Sequence, residues 1–190
     1  MKPMRTERLI LRNWEDRDRD LFHRINSDDQ VMEFFGHRRD RAQADAFLDL
    51  IRGEIAEYGY GFAAVELAAT GECIGFTGIT EAELAPRFPD DMVEIGWRLA
   101  SEYWGKGYVT EAANRWLDFG FDELGLPEIV SFAVTANHRS TAVMERLGMR
   151  RDPSSDFDHP KVPDTHPHLK RHAFYRLSRE DWSNKKRAAR

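Results

Sequence analysis

The run Ser101-Glu102-Tyr103-Trp104-Gly105-Lys106-Gly107-Tyr108-Val109-Thr110-Glu111-Ala112 holds the residue types whose spacing speaks most directly of chemistry. Two glycines and a lysine form a turn that opens an amphipathic helix, and the turn follows a strand-like run from Met92 to Leu99. A strand, a glycine turn and a helix start gather several backbone N–H groups at the positive end of a helix dipole, which suits phosphate. The Gly-x-x-x-x-Gly-Lys-Ser/Thr spacing of a nucleotide P-loop is absent. Glycines also serve tight turns in general, so a purely structural turn is the competing reading.

Glu94 lies on the preceding strand. Strand alternation puts Val93, Ile95, Trp97 and Leu99 on one face and Glu94, Gly96 and Arg98 on the other. The glutamate thus points away from the apolar row, as a general base or as a carboxylate paired with Arg98 or water. Asn137 and Ser140 sit just past a later strand, where an asparagine also suits a helix N-cap and a serine the first turn. Cys73, the single cysteine, excludes an intrachain disulfide and reads as a small filler on a strand. His159, His166, His168 and His172, with Asp158 and Asp164, match no closed zinc spacing, so no metal is expected.

These residues need a frame, and periodicity supplies an alternation of strands and helices. A short strand, 8–12, precedes a helix from Asp16 to about Asn26 and a second from about Arg41 to Tyr58, ended by Gly59-Tyr60-Gly61. Strands at 62–67 and 73–79 flank the hairpin signal Ala69-Thr70-Gly71-Glu72. A polar, proline-bearing loop from Ala85 to Asp91 leads to the strand of Glu94. The helix after the glycine turn keeps its period to Leu124, with Gly125 and Pro127 as stop signals. A strand at 129–134, a short helix ending at Leu147-Gly148, and strands near Arg150 and over 171–177 complete the order. The segment between those last two reads as a loop. The fold class expected is mixed α/β rather than doubly wound.

The 190 residues suit one domain, expected over 1–182, with 183–190 as a basic tail carrying Lys185-Lys186-Arg187 and Arg190 in a solvated, frayed end. A net charge of −5 argues against nucleic acid as a general partner. There is no apolar run near the roughly 20 residues of a membrane span, and Met1 to Arg8 lacks the apolar core of a signal peptide. A cytoplasmic protein, monomer or homodimer, is the expectation.

The blocks Thr6-Glu7-Arg8-Leu9-Ile10-Leu11-Arg12, Glu94-Ile95-Gly96-Trp97-Arg98-Leu99, Tyr103 to Ala112, Asn137-His138-Arg139-Ser140 and Glu145-Arg146-Leu147-Gly148-Met149, in this order, resemble the GNAT superfamily of acyl-CoA-dependent N-acetyltransferases. Within it the chain resembles the ribosomal-protein N-terminal acetyltransferases. The resemblance implies the GNAT fold, with splayed central strands and a CoA-binding strand-loop-helix, and acetyl-CoA as cosubstrate. It places the family's Gln/Arg-x-x-Gly-x-Gly/Ala pyrophosphate loop on Trp104, Gly105, Lys106, Gly107, Tyr108 and Val109, with Thr110 following. Trp104 and Val109 depart from that pattern. Backbone groups of Trp97, Arg98 and Leu99 would pair with the pantetheine amides like an added strand, and Asn137 would bond the pantetheine arm.

The implied chemistry is attack of an amine on the thioester carbonyl. A lysine-like amine of pKa ~10.4 costs roughly 4 to 5 kcal/mol to expose as the free base at pH 7, and an α-amine near ~8 costs less. A general base lowers that burden. Glu94 is the candidate, because Phe132 occupies the position where some relatives carry a glutamate. The leaving thiolate needs a donor; Met144 stands where many relatives have a tyrosine, and the resemblance offers Ser140, three after Asn137, instead, with Tyr108 as the alternative. Phe34, Phe35 and His37 fall where the family places a wall of the acceptor site. The acceptor is a protein N-terminus or a small-molecule amine, and a CoA-binding regulatory module without catalysis is the other reading.

Overall fold

The computed structural model describes residues 1–82, 84–89 and 91–188; Arg190 of the basic end lies outside them. They form two compact units, one of Met1–Thr80 with Gly96–Arg115, the other of Glu81–Ile95 with the chain from Trp116 onward.

In the first unit, strands β1 (Met4–Arg5) and β2 (Leu9–Arg12) pair antiparallel. A 3-10 turn at Asp16–Asp18 then leads into helix α1 (Arg19–Ser27), followed by α2 (Arg41–Tyr58). Asp40 caps α2 by accepting from the Gln43 amide at 2.8 Å, and Gly59 ends it at φ +83. Strands β3 (Phe62–Leu67) and β4 (Cys73–Glu81) extend the antiparallel order from β2. Phe22 is fully buried, with its ring 4.8 Å from Trp14, 5.7 Å from Phe47 and 6.2 Å from Phe76. Each such ring contributes about 1.5–3 kcal/mol of burial.

Strand β5 (Val93–Leu99) from Gly96 onward and helix α3 (Tyr108–Asp118) as far as Arg115 give this unit its last elements. Gly75 of β4 has φ +144, and a Cβ there would lie 2.2 Å from the Arg98 carbonyl oxygen. Only glycine permits that approach, which holds the end of β5 against the β4 backbone.

In the second unit, β5 pairs parallel with β6 (Glu128–Val134) at Glu94 opposite Val130, and the Ser131 hydroxyl donates to the Ile95 carbonyl at 2.9 Å. After α4 (His138–Leu147), the two-residue strands β7 (Arg150–Arg151) and β8 (Phe157–Asp158) each pair antiparallel with β9 (Arg171–Ser178), which also pairs with β6 along its length. The architecture is mixed α/β, as expected, and mostly antiparallel.

Three expectations change. The helix ending near Leu124 is α-helical only to Asp118; a π turn, Phe119–Glu123, follows, with the Leu124 N–H donating to Phe119 O at 3.0 Å. The widened turn buries Phe121 at 6.3 Å from the Trp182 ring. The segment between the late strands is not all loop, because burying Phe157 between Phe88 and Phe174 creates β8. The basic end is not frayed over 183–188. It belongs to helix α5 (Arg179–Ala188), where Lys185 donates to the last carbonyls of α4 at Leu147 (2.8 Å) and Arg146 (3.1 Å), and Lys186 pairs with Asp118 (2.6 Å).

Candidate active site

The glycine turn lies in the first unit. Trp104 is extended, Gly105 and Gly107 adopt φ +73 and +80, and α3 begins at Tyr108. The Glu111 N–H donates to Gly107 O at 3.0 Å. The amides of Tyr108, Val109 and Thr110 lie ahead of that bond, so the helix supplies them no partner. A Cβ at Gly105 would meet no described atom within 4 Å, so no side chain crowds that side of the turn. Lys106 is exposed, with Nζ 5.2 Å from the Tyr103 ring. The turn therefore offers amides that the helix leaves unpaired, and a cation, and this suits phosphate oxygens.

A brace across the sequence holds this turn. Arg8 donates to the Lys106 carbonyl (3.0 Å) and to Glu111 Oε2 (2.6 Å), while its own amide donates to Glu111 Oε1 (2.8 Å). Its guanidinium lies 4.6 Å from the Tyr108 ring. Burial would raise the Glu111 pKa, but the Thr6 hydroxyl and the Arg8 amide and guanidinium outweigh it and hold the carboxyl below its ordinary value. The first-turn carboxylate is thereby consumed in the brace rather than left to repel an anion. Arg8 belongs to the block Thr6 to Arg12, yet nothing in the spacing of that block identifies a partner 103 residues away.

Trp104 turns its indole inward. Its N–H donates to the Leu99 carbonyl at 2.9 Å, taking one acceptor site of a group expected to face pantetheine. Trp97 is part-exposed, and Leu99 is buried.

Beside them, the Arg98 side chain meets the expected acceptor wall. Its guanidinium stacks 4.2 Å from the Phe35 ring and 5.2 Å from Phe76, and Nη1 donates to Asn26 Oδ1 at 2.5 Å. Arg98 Nε is sealed from solvent and has no hydrogen-bond partner among the described residues. Burial, with the Arg39 charge adding to it, pushes the Arg98 pKa down to about 9. His37 is lowered too, by partial burial first and then by Arg39, Arg98 and Arg38. Phe35 is exposed and Phe34 half-buried. Arg38 fixes the turn between them by donating to the Phe35 and His37 carbonyls at 3.0 and 3.1 Å. Asn26 and Arg39 were missed in the sequence: one is a helix-interior amide, the other one arginine in a basic run.

Glu94, Asn137 and Ser140 lie in the second unit. Glu94 is part-buried on β5. Asn137 caps α4, its Oδ1 accepting from the Ser140 N–H at 3.1 Å, so the capping alternative is realised and Nδ2 is left for another acceptor. Ser140 sits part-buried in the first turn, and Met144, buried, offers no donor to a thiolate. Phe132 joins an aromatic group with Phe157, His159 and His172 at 5.4, 5.8 and 6.1 Å. Burial lowers both histidines, His159 to about 4. Among the described residues no three His, Cys, Asp or Glu side chains are grouped to hold a metal, and no helix is long and apolar enough to cross a membrane. In the first unit, burial pushes the Cys73 thiol up to about 12, far from a ready nucleophile.

Residues 8–150 match the profile of the acetyltransferase (GNAT) domain. The Bacillus subtilis protein YkkB is 32% identical over 145 residues, covering 76% of this chain and 83% of its own length. The crystal structure of a GNAT-family acetyltransferase from Bacillus anthracis superposes with a TM-score of 0.78 at 26% identity, over 94% of this chain and 99% of that one. The ribosomal-protein-S5-alanine acetyltransferase of Vibrio fischeri shares the fold, with a TM-score of 0.72 at 18% identity over 96% and 99% of the two chains.

Proposed function

The chain belongs to the GNAT acetyltransferase family and is an N-acetyltransferase, and we propose that it moves the acetyl group of acetyl-CoA to a primary amine by direct attack. The observation that carries the donor assignment is the turn at 104–110, with amides ahead of the first helical bond and the Arg8–Glu111 brace behind it. There the pyrophosphate takes the backbone N–H groups, with Lys106 adding charge. Asn137, its Oδ1 already committed to the Ser140 amide, has Nδ2 for a pantetheine carbonyl.

In the transfer, the amine nitrogen forms a bond to the thioester carbon and its proton passes to Glu94, directly or through water. The C–S bond then breaks and the sulfur leaves as thiolate, which the Ser140 hydroxyl meets with a hydrogen bond before solvent protonates it. The acceptor is a protein N-terminal α-amine, which the resemblance to ribosomal-protein acetyltransferases favours. Its pKa near ~8 also leaves far more free base at neutral pH than a lysine at ~10.4.

The test is acetyl-CoA-dependent thiol release over peptides with free N-termini and small amines in parallel, expected to turn over on the peptides. Selective turnover of small amines would replace the acceptor assignment. Thermal stabilisation by acetyl-CoA with no release from any amine would leave a CoA-binding module, and no binding by calorimetry would remove the donor. Glu94→Gln should lower kcat/KM by about 10²–10⁴ at pH 7 and by less at pH 10, where the amine deprotonates itself. An unchanged rate across that range would strike Glu94 from the mechanism.

A further inference from the structure

Arg98 is a half-buried cation for which the described residues supply no anion. Among the described residues neither Arg98 nor Arg39 has a carboxylate within ion-pair distance, whereas Arg12, Arg19, Arg24 and Arg41 of the same unit each hold one. What holds Arg98 is neutral: the Asn26 amide and the faces of Phe35 and Phe76. Arg39 Nη1 donates to the same Asn26 Oδ1 at 3.2 Å, so one amide oxygen binds two like charges. The orientation of that amide is set from its other end, where Nδ2 donates to Phe22 O at 2.7 Å and Asn26 is fully buried. Two guanidiniums converging on one neutral group repel each other, and a withdrawn charge left unpaired is costly. A fold keeps such an arrangement where a ligand completes it.

We propose that Arg98, with Arg39, binds a carboxylate of the acceptor, so that the enzyme selects amines carrying an acidic group close by. This rests on the acetyltransferase reading and on Phe35 and His37 as acceptor wall. The planar fork of a guanidinium matches a carboxylate in geometry, and among the described residues Arg98 commits only Nη1, to Asn26. The phosphates of the donor have their own donors in the turn at 104–110, so this cation pair is not needed for them. The carboxylate has two sources: an acidic side chain just behind a peptide N-terminus, or the α-carboxylate of a free amino acid.

Matched probes separate these. One pair is Ser-Asp-Ala-Ala-amide and Ser-Asn-Ala-Ala-amide; the other is serine and serinamide. The expected result for the native protein is a kcat/KM at least tenfold higher for the carboxylate member of one pair, and the pair that shows it identifies the source. In Arg98→Gln that ratio should fall to within threefold of one, and in Arg39→Gln it should fall in the same direction. Equal use of both members in both pairs by the native protein overturns the proposal, as does a ratio that survives in both variants. Because the native ratio decides alone, a variant that fails to fold does not rescue the idea. Calorimetric titration with the four N-acetylated products needs no turnover. A carboxylate preference there without thiol release would overturn the transfer reading and keep the anion site, and thiol release without any preference would do the reverse.

Discussion

Arg12 and Arg98 are two guanidiniums of the same unit, one buried and the other half-buried with its Nε sealed from solvent, and the chain treats them in opposite ways. Arg12 donates to both oxygens of Asp18, at 2.7 and 2.9 Å, and to Glu66 at 2.7 Å. Its partners bind β2 to β3 and to the 3-10 turn before α1. Burial alone would lower its pKa, yet the two carboxylates overcome that and raise it; Arg98, with only a neutral amide and rings, is lowered. Desolvation acts on both, so the difference lies in the counter-charge. A cation given its anions by the fold is a strut. One left short of them at a wall expected to meet substrate is half of a binding contact, its stability cost retained for selectivity.

The largest test of this contrast removes the cations by a side chain of similar length. Arg12→Met strands Asp18 among buried groups and should cost about 3–5 kcal/mol in urea unfolding. Arg98→Met strands no carboxylate; it should leave stability unchanged or raise it by up to about 4 kcal/mol while abolishing the carboxylate preference. Equal losses from the two substitutions would erase the distinction between strut and binding contact.

Arg8 stands between those cases, paired with Glu111 yet placed at the turn that should receive pyrophosphate. Glu111→Ala should weaken CoA binding about tenfold by calorimetry, equivalent to about 1.4 kcal/mol. The brace also has a sign with pH. The Glu111 pKa is held low, so its contribution to stability is complete above the ordinary carboxylate value near ~4.3 and is lost as pH falls through the lower folded one. CoA affinity insensitive to Glu111→Ala would make Arg8 a strut like Arg12.

Sequence patterning reached the frame more readily than these charges. Helix α2 runs from Arg41 to Tyr58, where apolar period and Gly59 placed it, and β3 spans 62–67 as read. Both signals are local. Helix α5 escaped although Ser178 and Asp181 spell a capping pair, since Trp182 is its one buried side chain and no apolar period marks it. The π turn escaped because its buried Phe121 packs near Trp182, far along the chain, and no local period marks that contact. At the site, alternation along β5 put Arg98 on the face of Glu94, but the absence of an acid around it is a property of assembled neighbours. Asn26 and Arg39 come from an α1 position and the chain before α2, and periodicity on one element cannot report what another withholds.

The smallest expected effect is also the most local. Burial, Arg39, Arg98 and Arg38 all disfavour a proton on His37, in that order, so its folded pKa lies below the ordinary value near ~6.5. The stability it permits is therefore full above ~6.5 and falls as pH drops through the folded pKa, because the unfolded chain binds the proton first. Arg98→Gln removes one of the opposing charges and should move the His37 midpoint upward in an NMR titration. Ser-Asp-Ala-Ala-amide bound to the native protein should move it the same way by neutralising that charge, and Ser-Asn-Ala-Ala-amide should do so less. Arg12→Met alters no charge acting on His37 and should leave the midpoint in place. A midpoint that answers to Arg12 as much as to Arg98 would mean that His37 senses the stability of the unit, and the two arginines would then differ in pairing but not in role.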